Sequence, residues 1–222
     1  MDNSYVEYAV EKSFELLAID SPTGYTEKCA AVALEKFQEL GFKAVRTKKG
    51  GVLVDLGGKK DDDGLVIMAH LDTLGCMVAE VKGNGRLRLT NLGGLHAKGC
   101  EGENVVIYTR DGKTYEGTLQ MPNPSLHVNN DFEGTERTWD SFECVIDEDV
   151  KNGEDVKALG IDVGDPVCVE PRSRVTSSGY IKSRFLDDKL CVGILYGLAK
   201  YIKDQKITLD RHTYLHVTVY EE

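Results

Sequence analysis

The feature that most constrains this chain is a double change of hydrophobic period along its 222 residues. From residue 5 to 19, Val6, Val10, Phe14 and Leu17 recur at helical spacing until Ser21-Pro22-Thr23-Gly24 stops the pattern. A second stripe over 26–40 carries Ala30, Leu34, Phe37 and Leu40, and Gly41 follows as a cap. Residues 52–56 and 65–69 are compact apolar runs expected as strands, the second buried on both faces, with the acidic stretch 59–64 as the turn between them.

From Leu74 the period shortens to two. Segments 77–81, 87–90, 104–109 and 114–119 alternate and are punctuated by Gly83-Asn84-Gly85 and Asp111-Gly112, which describes hairpins and not βαβ winding. Residues 122–140 are too polar for a buried element and are expected as a surface loop. Strand-like pieces resume at 142–146 and 166–170. After Ser173 the α/β texture returns. Residues 186–202 are apolar all round, with Gly193-x-x-x-Gly197 permitting close packing against a sheet, and 212–220 alternates as a strand. The expected fold class is therefore α/β, a mixed-sheet domain built from 1–73 and 174–222, interrupted by a β-rich, barrel-like domain over 74–173.

A chain of this length buries enough surface to need no disulfides. Cys29, Cys76, Cys100, Cys144, Cys168 and Cys191 lie far apart with no C-x-x-C pair, as expected of reduced, mostly buried thiols. The net charge of -10 argues against a phosphate-tracking surface, so no nucleic-acid partner is expected. The opening residues lack the basic start and apolar core of a signal peptide, and no run approaches membrane-spanning length, so a soluble, cytoplasmic protein with no membrane partner is expected.

Three constellations carry possible chemistry. His70-Leu71-Asp72 closes a buried strand, where open α/β sheets place their ligands. Period-two geometry puts both polar side chains on one face, suited to a metal-binding imidazole with a carboxylate beside it, or to a structural pair. Asp187-Asp188 opens the apolar helix expected over 186–202, where acids complement the helix dipole and where one carboxylate could equally bridge two cations. Glu221-Glu222 follows the last strand. Neighbours on a strand point to opposite sides, so one could bind metal while the other addresses a water; a solvated pair of acids is the alternative. His96, His127, His212 and His216 are expected as surface or packing histidines.

Together with Ser21-Pro22-Thr23-Gly24, the stretch from Ala69 to Gly75, Gly160-Ile161-Asp162-Val163-Gly164-Asp165-Pro166-Val167 and Phe185-Leu186-Asp187-Asp188-Lys189-Leu190, these motifs run in order across nearly the whole chain. In this the sequence resembles the co-catalytic di-metal aminopeptidases, a family that includes glutamyl, deblocking and tetrahedral aminopeptidases, some formerly labelled endoglucanases. The resemblance implies a zinc-peptidase-like catalytic domain with an inserted dimerisation domain, two divalent metal ions (zinc or cobalt), short peptide substrates, and homo-oligomers from dimer to dodecamer. It makes His70 a metal ligand, Asp72 a catalytic carboxylate that orients it, Asp187 the bridging ligand, Glu221 the general base and Glu222 a ligand of the second ion. Thr73 stands where the family more often has Glu, and Lys189 where it has Arg.

The family continues past the Glu-Glu pair with an acidic ligand and a final histidine. The chain is thus expected to be a C-terminally truncated, incomplete catalytic domain that binds metal weakly, is inactive alone, and exposes an apolar patch on its sheet. Two other functions fit the residues: a non-catalytic peptide-binding or assembly module with a vestigial metal site, and a carbohydrate hydrolase working through paired carboxylates.

Overall fold

The helical stripes and alternating runs take the expected forms in a computed structural model, which describes residues 3–222 apart from the side chain of Asp61. In chain order the elements are α1 (Ser4–Leu17), α2 (Glu27–Glu39), β1 (Lys43–Arg46), β2 (Val52–Gly57), β3 (Lys60–His70), β4 (Gly75–Val81), β5 (Leu87–Leu92), β6 (Asn104–Tyr108), β7 (Thr114–Gln120) and β8 (Glu143–Ile146). Then come α3 (Gly153–Ala158), β9 (Pro166–Val169), β10 (Arg174–Val175), β11 (Ile181–Lys182), α4 (Leu186–Asp204) and β12 (Arg211–Thr218). The chain forms two compact units, Met1–Thr73 with Pro171–Glu222, and Leu74–Glu170. The fold class is the one expected, a mixed α/β sheet and a closed β-barrel.

In the first unit the strand order is β1-β2-β12-β3. β12 runs antiparallel to β2 and parallel to β3, in a register that sets Thr218 opposite His70. Val52 and Val54, Ala69, Leu215 and Val217 alternate onto one face and join Leu16, Phe37, Val192 and Tyr196 in a single core. The Phe37 and Tyr196 rings pack with centroids 4.6 Å apart.

Three expectations for this unit need correction. The stretch 59–64 is mostly strand, since β3 begins at Lys60 and pairs with Arg211; that side chain donates to the Asp63 carbonyl (3.1 Å) and meets the Asp63 carboxylate. Charge on an edge strand reads like a turn in sequence, yet it is a common way of blunting an edge. Residues 65–69 are not buried on both faces, because β3 is an edge strand with Val66 52% and Met68 60% exposed. Finally, Gly193 and Gly197 face a helix and not the sheet. A Cβ at Gly193 would lie 1.9 Å from Ser13 Oγ and 2.7 Å from the Ala9 carbonyl, and one at Gly197 would lie 3.0 Å from the Tyr5 carbonyl, all on α1.

In the second unit six strands close in the order β4-β5-β8-β7-β6-β9. Cys76, Val78, Leu87, Leu89, Val105, Ile107, Leu119, Cys144, Val167 and Val169 are buried, as alternation toward a barrel interior requires. The Gly160–Val167 piece forms a turn tied to β4: Val78 N–H donates to the Asp165 carbonyl and Gly164 N–H to the Val78 carbonyl, each at 2.9 Å. Residues 122–140 hold no regular element. Cys29, Cys76, Cys100, Cys144 and Cys168 are buried and Cys191 is exposed, all as free thiols. No helix among the described residues is long and apolar enough to cross a membrane.

Candidate metal centre

The parallel pairing of β3 with β12 brings the sequence-distant acids to the histidine. Because both strands end at the same rim and Leu71 N–H donates to the Thr218 carbonyl (2.9 Å), the chain leaving β12 passes beside His70-Leu71-Asp72. Asp187 and Asp188 reach the same rim from the start of α4. Their backbone is not helical (φ/ψ of −75°/109° and −120°/20°), so the regular helix begins at Lys189 and both acids stand at its N-terminal end, where the helix dipole favours negative charge. One oxygen each of Asp187 and Glu222 and a ring nitrogen of His70 lie within 4.8 Å of one another.

The imidazole has a defined tautomer. Nδ1 lies 2.9 Å from the main-chain carbonyl of Asp72, an acceptor only, so Nδ1 carries the proton and Nε2 presents its lone pair. That lone pair faces Asp187 Oδ1 at 3.1 Å and Glu221 Oε2 at 3.5 Å. A lone pair aimed at carboxylates is repulsive unless a proton or cation stands among them. Two ligand atoms at ~2.0–2.1 Å from a tetrahedral zinc lie ~3.3 Å apart, close to the observed nitrogen–oxygen separation. A nitrogen with several carboxylate oxygens also suits a borderline divalent cation, so the donor set fits a metal.

The electrostatics agree. Burial works against protonating His70, but its bond to the Asp72 carbonyl and the charges of Asp72, Asp188 and Glu221 outweigh it, and its pKa is raised. Glu222 is also raised, by burial first and then by Asp187, Glu221 and Asp72, against the opposing pull of His70. The neighbouring carboxylates contribute to both shifts, beside burial in the case of Glu222. The Asp187 side chain is 86% exposed, which leaves the rim open to an incoming ion.

Asp72 meets the His70 ring through both its main chain and its side chain. Its hydrogen bond to the imidazole comes from the main chain, while the fully buried carboxylate has Oδ1 3.5 Å from Nδ1 and Oδ2 elsewhere. Oδ2 accepts from Thr23 Oγ1 (2.9 Å), Glu221 N–H (2.9 Å) and Glu222 N–H (3.0 Å). Glu221 and Glu222 therefore do not diverge as strand neighbours would. They follow the end of β12, and both carboxyl groups come to one place.

Two further residues belong to the site. Asp188 Oδ2 accepts the His70 N–H at 3.3 Å, and Thr23 reaches Asp72 from the Ser-Pro-Thr-Gly turn. Only the motif to which each belongs signalled them in the sequence. Among the described residues His70 is the one histidine in a cluster of metal-ligand type. His212 instead pairs with Asp55 (2.7 Å) and stacks on Tyr214.

The chain is similar to known proteins along almost its whole length. It is 39% identical to YhfE of Bacillus subtilis over 217 residues, 98% of this chain and 63% of that protein. It is 22% identical to the glutamyl aminopeptidase of Lactococcus lactis over 89% of this chain and 56% of that one. The chain thus spans between half and two thirds of the length of these relatives. Two solved structures share the fold: a TET aminopeptidase from a marine sediment archaeon (TM-score 0.85, 24% identity, 96% of this chain and 59% of that one) and the TET1 peptidase of Pyrococcus horikoshii, described as assembling into a tetrahedron or a large octahedral shell (TM-score 0.80, 23% identity, 96% and 61%). The model of the M42 glutamyl aminopeptidases matches residues 50–222, and with the motifs in order and the fold in common, the chain belongs to that family.

Proposed function

We propose that this chain carries the metal centre of an aminopeptidase that removes N-terminal residues from short peptides, with His70 and Glu222 each holding one of two divalent cations and Asp187 bridging them. The observation that supports it is the convergence of these three side chains, from β3, the start of α4 and the end of β12, within 4.8 Å. Zinc or cobalt suits the nitrogen and oxygen donors. When bound, such a pair supplies Lewis-acid activation of a water and of the peptide carbonyl. Glu221, the general base, takes the proton at a carboxylate oxygen and returns it to the leaving amine. Asp72 holds the Nδ1–H tautomer through its carbonyl and the two glutamates through its carboxylate.

On this assignment each ion has two protein ligands from these 222 residues, whereas a catalytic zinc ordinarily keeps three. Weak metal binding and little or no turnover by the chain alone follow. The ligand count also favours a second role, an assembly or peptide-binding module with a residual metal site. Homo-oligomers, from dimer to dodecamer, would form through the inserted barrel unit, in the cytoplasm.

Calorimetric titration with Co²⁺ tests the centre directly. The expected result is saturable binding that His70→Ala weakens at least tenfold. Binding unaltered by His70→Ala would end the proposal, and release of N-terminal residues from a short peptide, abolished by a chelator, would separate the enzyme from the module.

A further inference from the structure

We propose that Thr23 is a positioning residue of the metal centre: through Asp72 its hydroxyl sets the main chain that carries Glu221 and Glu222. This rests on the function proposed above for those acids, but its geometry stands independently. Asp72 is fully buried, and its Oδ1 has no hydrogen-bond partner, so the carboxylate is held through Oδ2. On that oxygen Thr23 is the side-chain donor, and the Glu221 and Glu222 amides are the main-chain donors. Turning about the Cβ–Cγ bond would carry Oδ2 away from the amides. The hydroxyl, reaching the same oxygen from a different segment of the chain, adds a third donor that opposes this turn, so the amides meet an oxygen that stays in place.

The turn that carries Thr23 is held at several points. Its N–H donates to the Thr73 carbonyl (3.2 Å), and Thr73 N–H donates back to the Ser21 carbonyl (2.9 Å), so the turn is stitched to the segment just beyond Asp72. Ser21 Oγ donates to the Leu71 carbonyl at 2.7 Å. The buried Lys189 ammonium donates to the Ile19 carbonyl at 2.5 Å, tying the chain just ahead of the turn to the helix whose start carries Asp187 and Asp188. A turn built this firmly places one hydroxyl to within hydrogen-bond tolerance. It also gives the Ser-Pro-Thr-Gly motif a task that helix termination alone does not explain.

The test compares Thr23→Val, which keeps the shape and loses the donor, with Thr23→Ser, which keeps the donor. Two readouts are taken on the 222-residue chain: exchange rates of the Glu221 and Glu222 amides in metal-free, glutamate-labelled protein by NMR, and Co²⁺ affinity with its visible absorption spectrum. Thr23→Val is expected to speed exchange of both amides by about tenfold and weaken Co²⁺ binding by about 10–100-fold with a changed spectrum. Thr23→Ser is expected to restore both. Parental amide exchange in Thr23→Val, or a Thr23→Ser chain that behaves like Thr23→Val, overturns the proposal. Should Thr23→Val misfold, Thr23→Ala takes its place under the same criteria. A parent chain that binds no Co²⁺ would sink the metal-centre function, and the amide exchange would still decide the role of Thr23.

Discussion

At the scale of single residues, burial of charge separates what the sequence discloses from what it hides. His70, Asp187 and Glu222 are legible because their motifs fall at element ends of one α/β domain and run in the order of a known family, although acids at a helix start are common for other reasons. The Asp72 carboxylate also stands out, but its partners do not: Thr23 is 49 residues away and the other donors are main-chain amides, which have no residue-type signature. Glu143, in β8 of the barrel, is a second case, because nothing in its local pattern announces a buried acid. It is 3% exposed and paired with Lys82 and Arg86, the latter at 2.8 Å. Burial pushes its pKa up, but the hydrogen bonds and charges of those two side chains win, and it lies below the ordinary value of 4.5. The unfolded chain therefore takes up this proton first. The pair's contribution is complete above about pH 4.5 and is lost as pH falls through the lower folded value. Glu143→Gln should cost about 1.5–3 kcal/mol at neutral pH and approach the parent in acid. Urea unfolding from pH 7 to 3 checks this, and parallel curves for the two proteins would refute it.

At the scale of elements, periodicity locates a helix or strand well but leaves its partner open. The stripes for α1 and α2, the all-round apolar run for α4, the alternation for β4 to β7 and the strand-like pieces for β8 and β9 appear where expected, because each reflects how much of the element is turned to a core. What fails is anything that depends on the neighbour. The acidic run ahead of Leu65 becomes strand because Arg211 on β12 supplies a cation and a ladder partner. The two glycines of α4 do signal a close approach, yet only the fold shows that α1 is what approaches. There the fit leaves no room: Ser13 Oγ, which donates to the Ala9 carbonyl at 2.7 Å, lies where a Gly193 methyl would go. Helix propensity alone would make Gly193→Ala stabilising by about 1 kcal/mol. The contact should reverse that sign and cost about 1–3 kcal/mol or more. A thermal midpoint for Gly193→Ala at or above the parent's would show that α1 and α4 can separate freely.

At the scale of the whole molecule, the sheet of the first unit is covered on one face and open on the other. Its covered face carries α2 and α4, with α1 packed on α4, whereas the opposite face shows Val66 and Met68 on the edge strand and Tyr220 past β12, each more than half exposed. A hollow of 570 Å³ beside Met68 and Tyr220 is lined by these two, Val219, Lys48, Lys49 and Glu221, so mixed apolar and basic surface runs up to the candidate general base. An apolar run on a flat edge strand offers both a greasy surface and unpaired backbone groups, a combination that proteins ordinarily break with charge. β3 does so at its acidic start, around Asp63, but not at Val66 and Met68. The 222-residue chain should accordingly bind an apolar fluorescent dye in its native state. Val66→Lys, which sets a charge on this open face and leaves the core untouched, should reduce that binding severalfold while changing stability by only about 0.5 kcal/mol. Dye titration and urea unfolding on the two proteins measure both effects. Equal dye binding by parent and Val66→Lys would mean that the apolar face is closed in solution.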